Sequence, residues 1–375
     1  MYKLIIFFLF AHSSVCAQSF FIKGIVIDDE TGAALGNASV FINNSTTGTV
    51  TGSTGEFQLG PFAPGTYEVV ASFVGYERLL YVADVRNASM KITFRLTKRE
   101  AEMRELLILP EATRVRYLEI FRKNLLGETR AANRAKVKNL KDVQFAATPN
   151  QNELVAYCDT TLVVDNPELG YVIYFDLVEF YFNRVTGESR FFGYTRFVDK
   201  NGEGENKRRW AKRRREAYEG STMHFYRSLV QRTLKEEKFT VQNIYRKEMK
   251  QEGGAPQKIT LQLGGSNSID IAVPVTEDSL LHIHSDSGYR IYEIKTADRL
   301  RVVYEKNTAL KQDITKSRIV GGQVREGTIS GLRPFKPPIL VDYRGRLLTP
   351  LAAYNDGMWV FERLANMLPE DYEPE

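Results

Sequence analysis

The feature that most constrains this chain is the regular spacing of turn residues in its first hundred positions. Between residues 20 and 96, short β-rich runs are separated by clusters of Gly, Pro, Asp and Asn. Residues 22–27 read as a first strand, closed by the turn Asp28-Asp29-Glu30-Thr31-Gly32. Residues 38–42 read as a second, with Val40 and Ile42 on one face because strand side chains alternate with period two. Residues 47–51 lead into the turn Gly52-Ser53-Thr54-Gly55, after which Glu56-Phe57-Gln58-Leu59 alternates polar and apolar. Pro64-Gly65 turns the chain into a strand whose Tyr67, Val69 and Ala71 share a face, and Ile92, Phe94 and Leu96 close the unit. Strands at this spacing predict an antiparallel, Greek-key-type β-sandwich over residues 18–97.

The residues GIVIDDETGAALGNASVFI, TTGTVTGSTGEFQL and GTYEVVASFVGYE resemble the carboxypeptidase-regulatory-like domain, a transthyretin-like sandwich. The resemblance covers about a fifth of the chain. It implies a spacer or docking module at the front of a secreted or outer-membrane protein of a Gram-negative bacterium, a setting that includes TonB-dependent receptors. It brings no catalytic residues with it. Residues 101–375 in turn resemble the region that follows this sandwich in exported proteins of unknown function. That likeness is carried by LGYVIYFDLVEF, FFGYTRF, WAKRRREAYEGSTMHFYRSL and GMWVFERLANMLPEDYEP. It implies a domain plan and no reaction.

Residues 1–17 read as a signal peptide, with Lys3 in the positive region, an apolar stretch over 4–11, and Val15-Cys16-Ala17 as the small-residue cleavage site. The competing reading is a lipoprotein signal with Cys16 lipidated; Val15 is bulky for the position before such a cysteine. No other apolar run approaches the ~20 residues of a membrane helix, and no series of ~10-residue alternating strands suggests an outer-membrane barrel. Cleavage after Ala17 would leave Cys158 as the one cysteine, so the mature chain would rely on its core and not on an internal disulfide.

Residues 98–110 read as a charged linker ended by Pro110, and residues 111–375 as a larger α+β domain with antiparallel sheet. A helix is predicted over 111–126, where Val115, Leu118, Phe121 and Leu125 fall near one face and Gly127 supplies the stop. Residues 153–164 and 169–182 are the longest strand candidates. In the second, Tyr171, Ile173, Phe175 and Leu177 share one face and Val172, Tyr174, Val178 and Phe180 the other, so cover on both sides is expected. Residues 190–198 return as its hairpin partner. Helices are predicted over 207–218 and 221–238, broken by Gly220, with Ser221 as N-cap and Tyr226, Leu229, Val230 and Leu234 inward. Strands follow at 239–245, 258–263, 268–273, 280–284, 289–294 and 300–304. A hairpin is predicted about Arg344-Gly345, and a final helix over 359–367.

The formal charge is +5, and the surplus sits in the middle: residues 101–250 carry 28 Lys and Arg against 21 Asp and Glu. Seven of those cations crowd into nine residues, Lys207, Arg208, Arg209, Lys212, Arg213, Arg214 and Arg215. In a cytosolic chain such a run suggests nucleic acid. Behind an export signal an anionic lipid, lipopolysaccharide or acidic glycan is the better partner. The plainer alternative is a solvated helix face paired with Glu203, Glu205, Glu216 and Glu219.

His282 and His284 stand two apart on a predicted strand and, with Asp286, form the weak candidate for a metal site. No His is followed three residues on by Glu, so a zinc-peptidase helix is absent, as is a Gly-x-Ser-x-Gly elbow. Cys158 reads as a small buried hydrophobe. The dense aromatics between Tyr171 and Tyr194 read as core and cross-strand pairs, with a sugar-stacking groove as the alternative. These features together predict an exported cell-envelope protein, a non-catalytic binding or docking module with the sandwich as adaptor, without cofactor. Its expected partner is an envelope protein, a glycan or an anionic lipid surface. The alternatives are a periplasmic or surface hydrolase acting on peptide or glycan, which would need His224 beside His282 and Asp286, and a purely structural envelope component.

Overall fold

The computed structural model describes residues 20–85, 88–99, 109–146, 152–248, 268–285, 290–306, 308 and 328–374. The expected signal peptide, the strand expected over 258–263, Asp286 and most of the expected linker lie outside the described residues. The described chain is mostly β, with a sandwich at the front and further antiparallel sheets behind it.

Seven strands build the sandwich: β1 (Phe20–Asp28), β2 (Ser39–Ile42), β3 (Gly48–Val50), β4 (Glu56–Phe62), β5 (Gly65–Ser72), β6 (Leu79–Val85) and β7 (Met90–Leu96). One sheet runs β4-β1-β7 and the other β3-β2-β5-β6. The expected inward residues Val40, Ile42, Tyr67, Val69, Ala71, Ile92, Phe94 and Leu96 all lie in its core. Two features differ from the sequence reading. β1 and β7 pair in parallel, so the sandwich is not antiparallel throughout. β6 carries no alternation at its start, where Leu79, Tyr81 and Val82 are exposed, and only Ala83 and Val85 reach the core. Phe41 and Val70 point away from that core yet are buried, because the rest of the chain covers the outer face of β2 and β5.

The middle of the chain forms α1 (Glu111–Leu126), α2 (Arg130–Arg134), β8 (Lys136–Val137), β9 (Gln144–Ala146), β10 (Glu153–Tyr157), β11 (Leu162–Asn166), β12 (Tyr171–Asn183) and β13 (Ser189–Asp199). α1 has the bounds its sequence predicts and packs Phe121 and Leu125 inward, although Val115 faces solvent. The strand expected over 153–164 is two strands, β10 and β11, which share one edge of β12 while β13 takes the other. Tyr171, Ile173, Phe175 and Leu177 are buried as expected. The opposite face is not fully covered: Val178 is 52% exposed. A bulge between Leu177 and Glu179 adds one residue to β12, which returns Phe180 to the core side and ends the alternation that placed it with Val178.

α3 (Gly204–Tyr218) and α4 (Thr222–Gln231) follow. Ser221 caps α4, its hydroxyl accepting the His224 N–H at 3.1 Å. α4 stops early, at Arg232 in the left-handed region, rather than running to residue 238. Its Phe225, Tyr226, Leu229 and Val230 form a third core with Phe239, Leu300, Val302 and Trp359, apart from those of the sandwich and of α1 with β12. That core is held by the short helix α5 (Glu277–Leu280) and by two sheets built from β14 (Phe239–Glu248), β15 (Ser268–Pro274), β16 (Leu281–Ser285), β17 (Ile291–Ile294), β18 (Arg299–Tyr304), β19 (Thr328–Pro334), β20 (Leu340–Asp342) and β21 (Ala353–Gly357). The sheets run β15-β14-β18-β19-β21 and β16-β17-β20. The final helix expected over 359–367 is instead two 3₁₀ turns, Met358–Phe361 and Leu364–Asn366.

The sandwich is fastened to the rest of the chain by main-chain groups as well as by charge. The Asn44 N–H donates to the Thr195 carbonyl at 2.7 Å, and the Phe197 N–H to the Ser45 carbonyl at 2.9 Å. Arg344 donates to the Pro64 carbonyl at 2.7 Å and the Tyr67 hydroxyl at 3.0 Å. Arg78 meets the buried Asp176 at 3.2 Å. The carboxy-terminal segment returns to the same seam, where the Glu370 N–H donates to the Asn44 carbonyl at 2.6 Å and Asp371 binds the Thr46 N–H.

Candidate binding surfaces

All seven cations of the basic run lie on α3, but they divide into two kinds. Arg213 and Arg214 are structural. Arg213 reaches the buried carboxylate of Glu168 at 2.9 Å, a group that also holds Arg130 at 2.8 Å and Arg134 at 3.0 Å. Arg214 lies 3.9 Å over the Tyr171 ring, donates to the carbonyls of Leu169 at 2.7 Å and Gly170 at 3.2 Å, and pairs with Asp199 at 2.8 Å. Trp210 completes the seat, its indole N–H donating to the Pro167 carbonyl at 2.9 Å. A Cβ on Gly170 or Gly202 would come within 2.2 Å of that indole, which is why glycine stands at both positions.

The remaining five cations, Lys207, Arg208, Arg209, Lys212 and Arg215, are exposed. Arg208, Lys212 and Arg215 stand at i, i+4 and i+7, the spacing of one helical face. Glu216 bridges Arg213 at 2.6 Å and Lys212 at 4.0 Å. Lys207, Arg208, Arg209 and Arg215 have no ion pair among the described residues. The helix is therefore locked from below by two arginines and a tryptophan, and presents a positive stripe outward.

The histidines do not converge in a way that uses His224. Its Nδ1 accepts the Gly220 N–H at 3.1 Å, its Nε2 lies 3.1 Å from Glu237, and its ring packs against Tyr218, Phe239 and Tyr304. Both nitrogens are thus occupied by the protein, and burial holds its pKa below the usual histidine value despite the opposing Glu237. His282 and His284 lie exposed on β16, interrupted by a bulge after Ile283. Cys158 is buried, and burial pushes its thiol pKa up, away from nucleophile chemistry.

A second feature involves the aromatic stretch between Tyr171 and Tyr194, read as core with a groove as the alternative. Between the sandwich, β13, α4 and the carboxy-terminal segment lies a cleft of about 1260 Å³. β13 contributes Phe191, Phe192 and Tyr194 to it, and the sandwich Asn43, Phe62 and Glu68. Of the expected aromatic core, Tyr171, Phe175 and Phe180 are buried, while Phe191, Phe192 and Tyr194 are half-exposed along this cleft.

Two carboxyls in the cleft wall are far from their usual state. Glu362 accepts from the Thr222 N–H at 3.2 Å and hydroxyl at 2.9 Å, yet its other oxygen is buried without a hydrogen-bond partner. Burial outweighs those two bonds and pushes its pKa up to about 8. Glu370 is also pushed up to about 8 by burial, with Arg346 at 3.8 Å opposing and Glu68 and Asp342 reinforcing. No local spacing could have shown this, since Thr222 and Glu362 meet only through the tertiary fold.

No curated protein matches the chain. Several solved structures resemble parts of it. A type II cohesin–X-dockerin complex from Acetivibrio cellulolyticus is 22% identical over 20% of this chain and 52% of that one, with a TM-score of 0.18. The chain thus spans about half the length of that structure. A candidate carbohydrate binding protein from Bacteroides uniformis is 14% identical, covering 48% of this chain and 78% of that one, TM-score 0.18. A candidate membrane-associated protein of unknown function from Bacteroides fragilis is 10% identical, covering 90% and 93%, TM-score 0.18. In sequence, it is the front of the chain that is recognised: residues 22–108 match the CarboxypepD_reg-like domain family, in agreement with the sandwich built by β1–β7.

Proposed function

We propose that the protein is an exported, non-catalytic binding protein of the cell envelope that docks on a phosphate-bearing anionic lipid surface through α3. In this reading residues 1–17 are the export signal, the sandwich of residues 18–97 is the adaptor, and residues 111–375 carry the contact. The observation that supports it is the division of labour on α3. Arg213 and Arg214 hold the helix down while five further cations stand exposed, four of them without an ion pair among the described residues. A face kept only for solubility would gain from an intrahelical acid–base partner for each cation. Here Glu216 pairs Arg213 and Lys212, while Arg208 and Arg215 of the stripe have no ion pair among the described residues.

Each cation near an anionic surface contributes roughly 1 kcal/mol, so the three residues of the stripe supply about 3 kcal/mol, roughly a hundredfold in partitioning. The test is fractionation of cells expressing the protein with Arg208→Glu, Lys212→Glu and Arg215→Glu. The variant should move from the envelope to the soluble fraction while keeping its fold. Unchanged retention contradicts the reading. Reversing Arg213 or Arg214 would not serve, because it would unseat the helix.

A further inference from the structure

We propose that the cleft binds an extended peptide, which pairs edge to edge with β13 at Phe191–Gly193. The inference goes beyond lipid docking and rests on different residues.

β13 is an edge strand, paired with β12 on one side only. Its outward main-chain groups are taken where the sandwich reaches it. The Thr195 N–H donates to the Asn43 side chain at 3.0 Å, the Thr195 carbonyl accepts from Asn44, and the Phe197 N–H donates to Ser45. Ser45 pairs with Arg196 in parallel, so residues 43–45 act as a short added strand. In an antiparallel ladder every second residue turns its N–H and C=O away from the partner. The outward positions before Thr195 are therefore Gly193 and Phe191. Neither has a main-chain hydrogen bond to anything but β12 among the described residues. Both line the cleft. Half-buried main-chain donors and acceptors without partners are a template for one more strand.

The walls suit the same ligand. Phe192 and Tyr194 meet edge to face at 5.8 Å beside this edge, and Met367 and Leu368 also line the cleft. The side chains of an extended peptide alternate, and such surfaces supply the pockets that read them while the main chain supplies affinity. The arginines of the cleft are already committed to the protein itself. Arg227 donates to the carbonyls of Glu370 and Tyr372, Arg344 to Pro64, and Arg346 to Thr66. Among the described residues Lys336 is the one further cation of the lining, against Glu68, Glu370, Asp371 and Glu373, so the cleft does not favour an acidic ligand, whereas an apolar, alternating peptide needs no counter-charge. The volume also exceeds the roughly 300–1,000 Å³ of a small-molecule pocket.

The probe is a random dodecapeptide library displayed on phage, selected on the full-length protein, with the best sequence then synthesised. Amide hydrogen exchange is read with and without that peptide. The proposal predicts at least tenfold slower exchange at Phe191 and Gly193, and at least tenfold weaker binding to a Phe191→Pro variant, which lacks the outward N–H. Because that variant could fail to fold, the exchange measurement on the unaltered protein decides independently. Failure to select any peptide overturns the proposal. So does a bound peptide that leaves exchange at 191 and 193 unchanged, or binding of chitohexaose or cellohexaose in the cleft in place of peptide. Lipid docking through α3 is untouched by any of these outcomes.

Discussion

Replacing Arg214 with alanine separates the two kinds of cation on α3. The substitution removes two charge-assisted hydrogen bonds to the Leu169 and Gly170 carbonyls and the 3.9 Å stack on Tyr171. Its ion pair with Asp199 is half-exposed and screened, so it adds little. Hydrogen bonds to charged groups contribute about 1.5–3 kcal/mol each and a desolvated cation–π contact up to about 2 kcal/mol. These terms share one side chain and are not additive. Water can also reach the freed carbonyls, so a loss of about 3 kcal/mol is expected. Arg215, one position on, is exposed and unpaired among the described residues; its alanine variant should stay within about 0.5 kcal/mol of the parent. Urea unfolding followed by tryptophan fluorescence is the assay, since Trp210 lies in the seat that Arg214 supports. Equal effects from the two substitutions, or an unchanged midpoint for Arg214→Ala, would refute the separation of anchoring from exposed cations.

Other consequences follow from the same geometry. Gly170 sits at φ +71° with its Cβ direction 2.2 Å from Trp210, so Gly170→Ala should cost about 2 kcal/mol or more, again by urea unfolding. Glu362 has a raised carboxyl pKa in the fold, so its contribution to stability is fully present below about 4.5 and is lost as pH rises toward about 8. Glu362→Gln should therefore flatten the decline in the urea midpoint between pH 5 and pH 8, a difference on the order of a few kcal/mol; matching slopes for parent and variant would exclude it.

How much of this was legible depended on whether the controlling contact was local. α1 could be bounded from sequence because its periodic face, Pro110 and Gly127 are all neighbours in the chain. The sandwich strands were legible for the same reason: turn residues and period-two alternation act within a few positions. β6 escaped because its first half faces away from the core and carries no alternation. The face assignment of Phe180 failed because one bulged residue at Val178 inverts every side chain beyond it, and a bulge leaves no mark in apolar periodicity. The final helix was misread since Trp359, Leu364 and Ala365 are buried by distant elements, not by a helical stripe.

The candidate surfaces show the same limit. The basic run was visible as composition, but nothing local distinguishes Arg214 from Arg215; the distinction comes from Leu169, Tyr171 and Asp199, more than fourteen positions away. Of the cleft only its aromatic stretch was visible, because its other walls come from the sandwich, α4, residues 343–352 and the carboxy-terminal segment.

The most direct test of lipid docking is co-sedimentation of the purified protein with vesicles. Vesicles of phosphatidylcholine alone would be compared with vesicles containing one third phosphatidylglycerol, at low and physiological salt. The account predicts binding that requires the anionic lipid, weakens with salt, and falls roughly a hundredfold with Arg208→Gln, Lys212→Gln and Arg215→Gln. Equal sedimentation of parent and variant, or binding indifferent to phosphatidylglycerol, would contradict it.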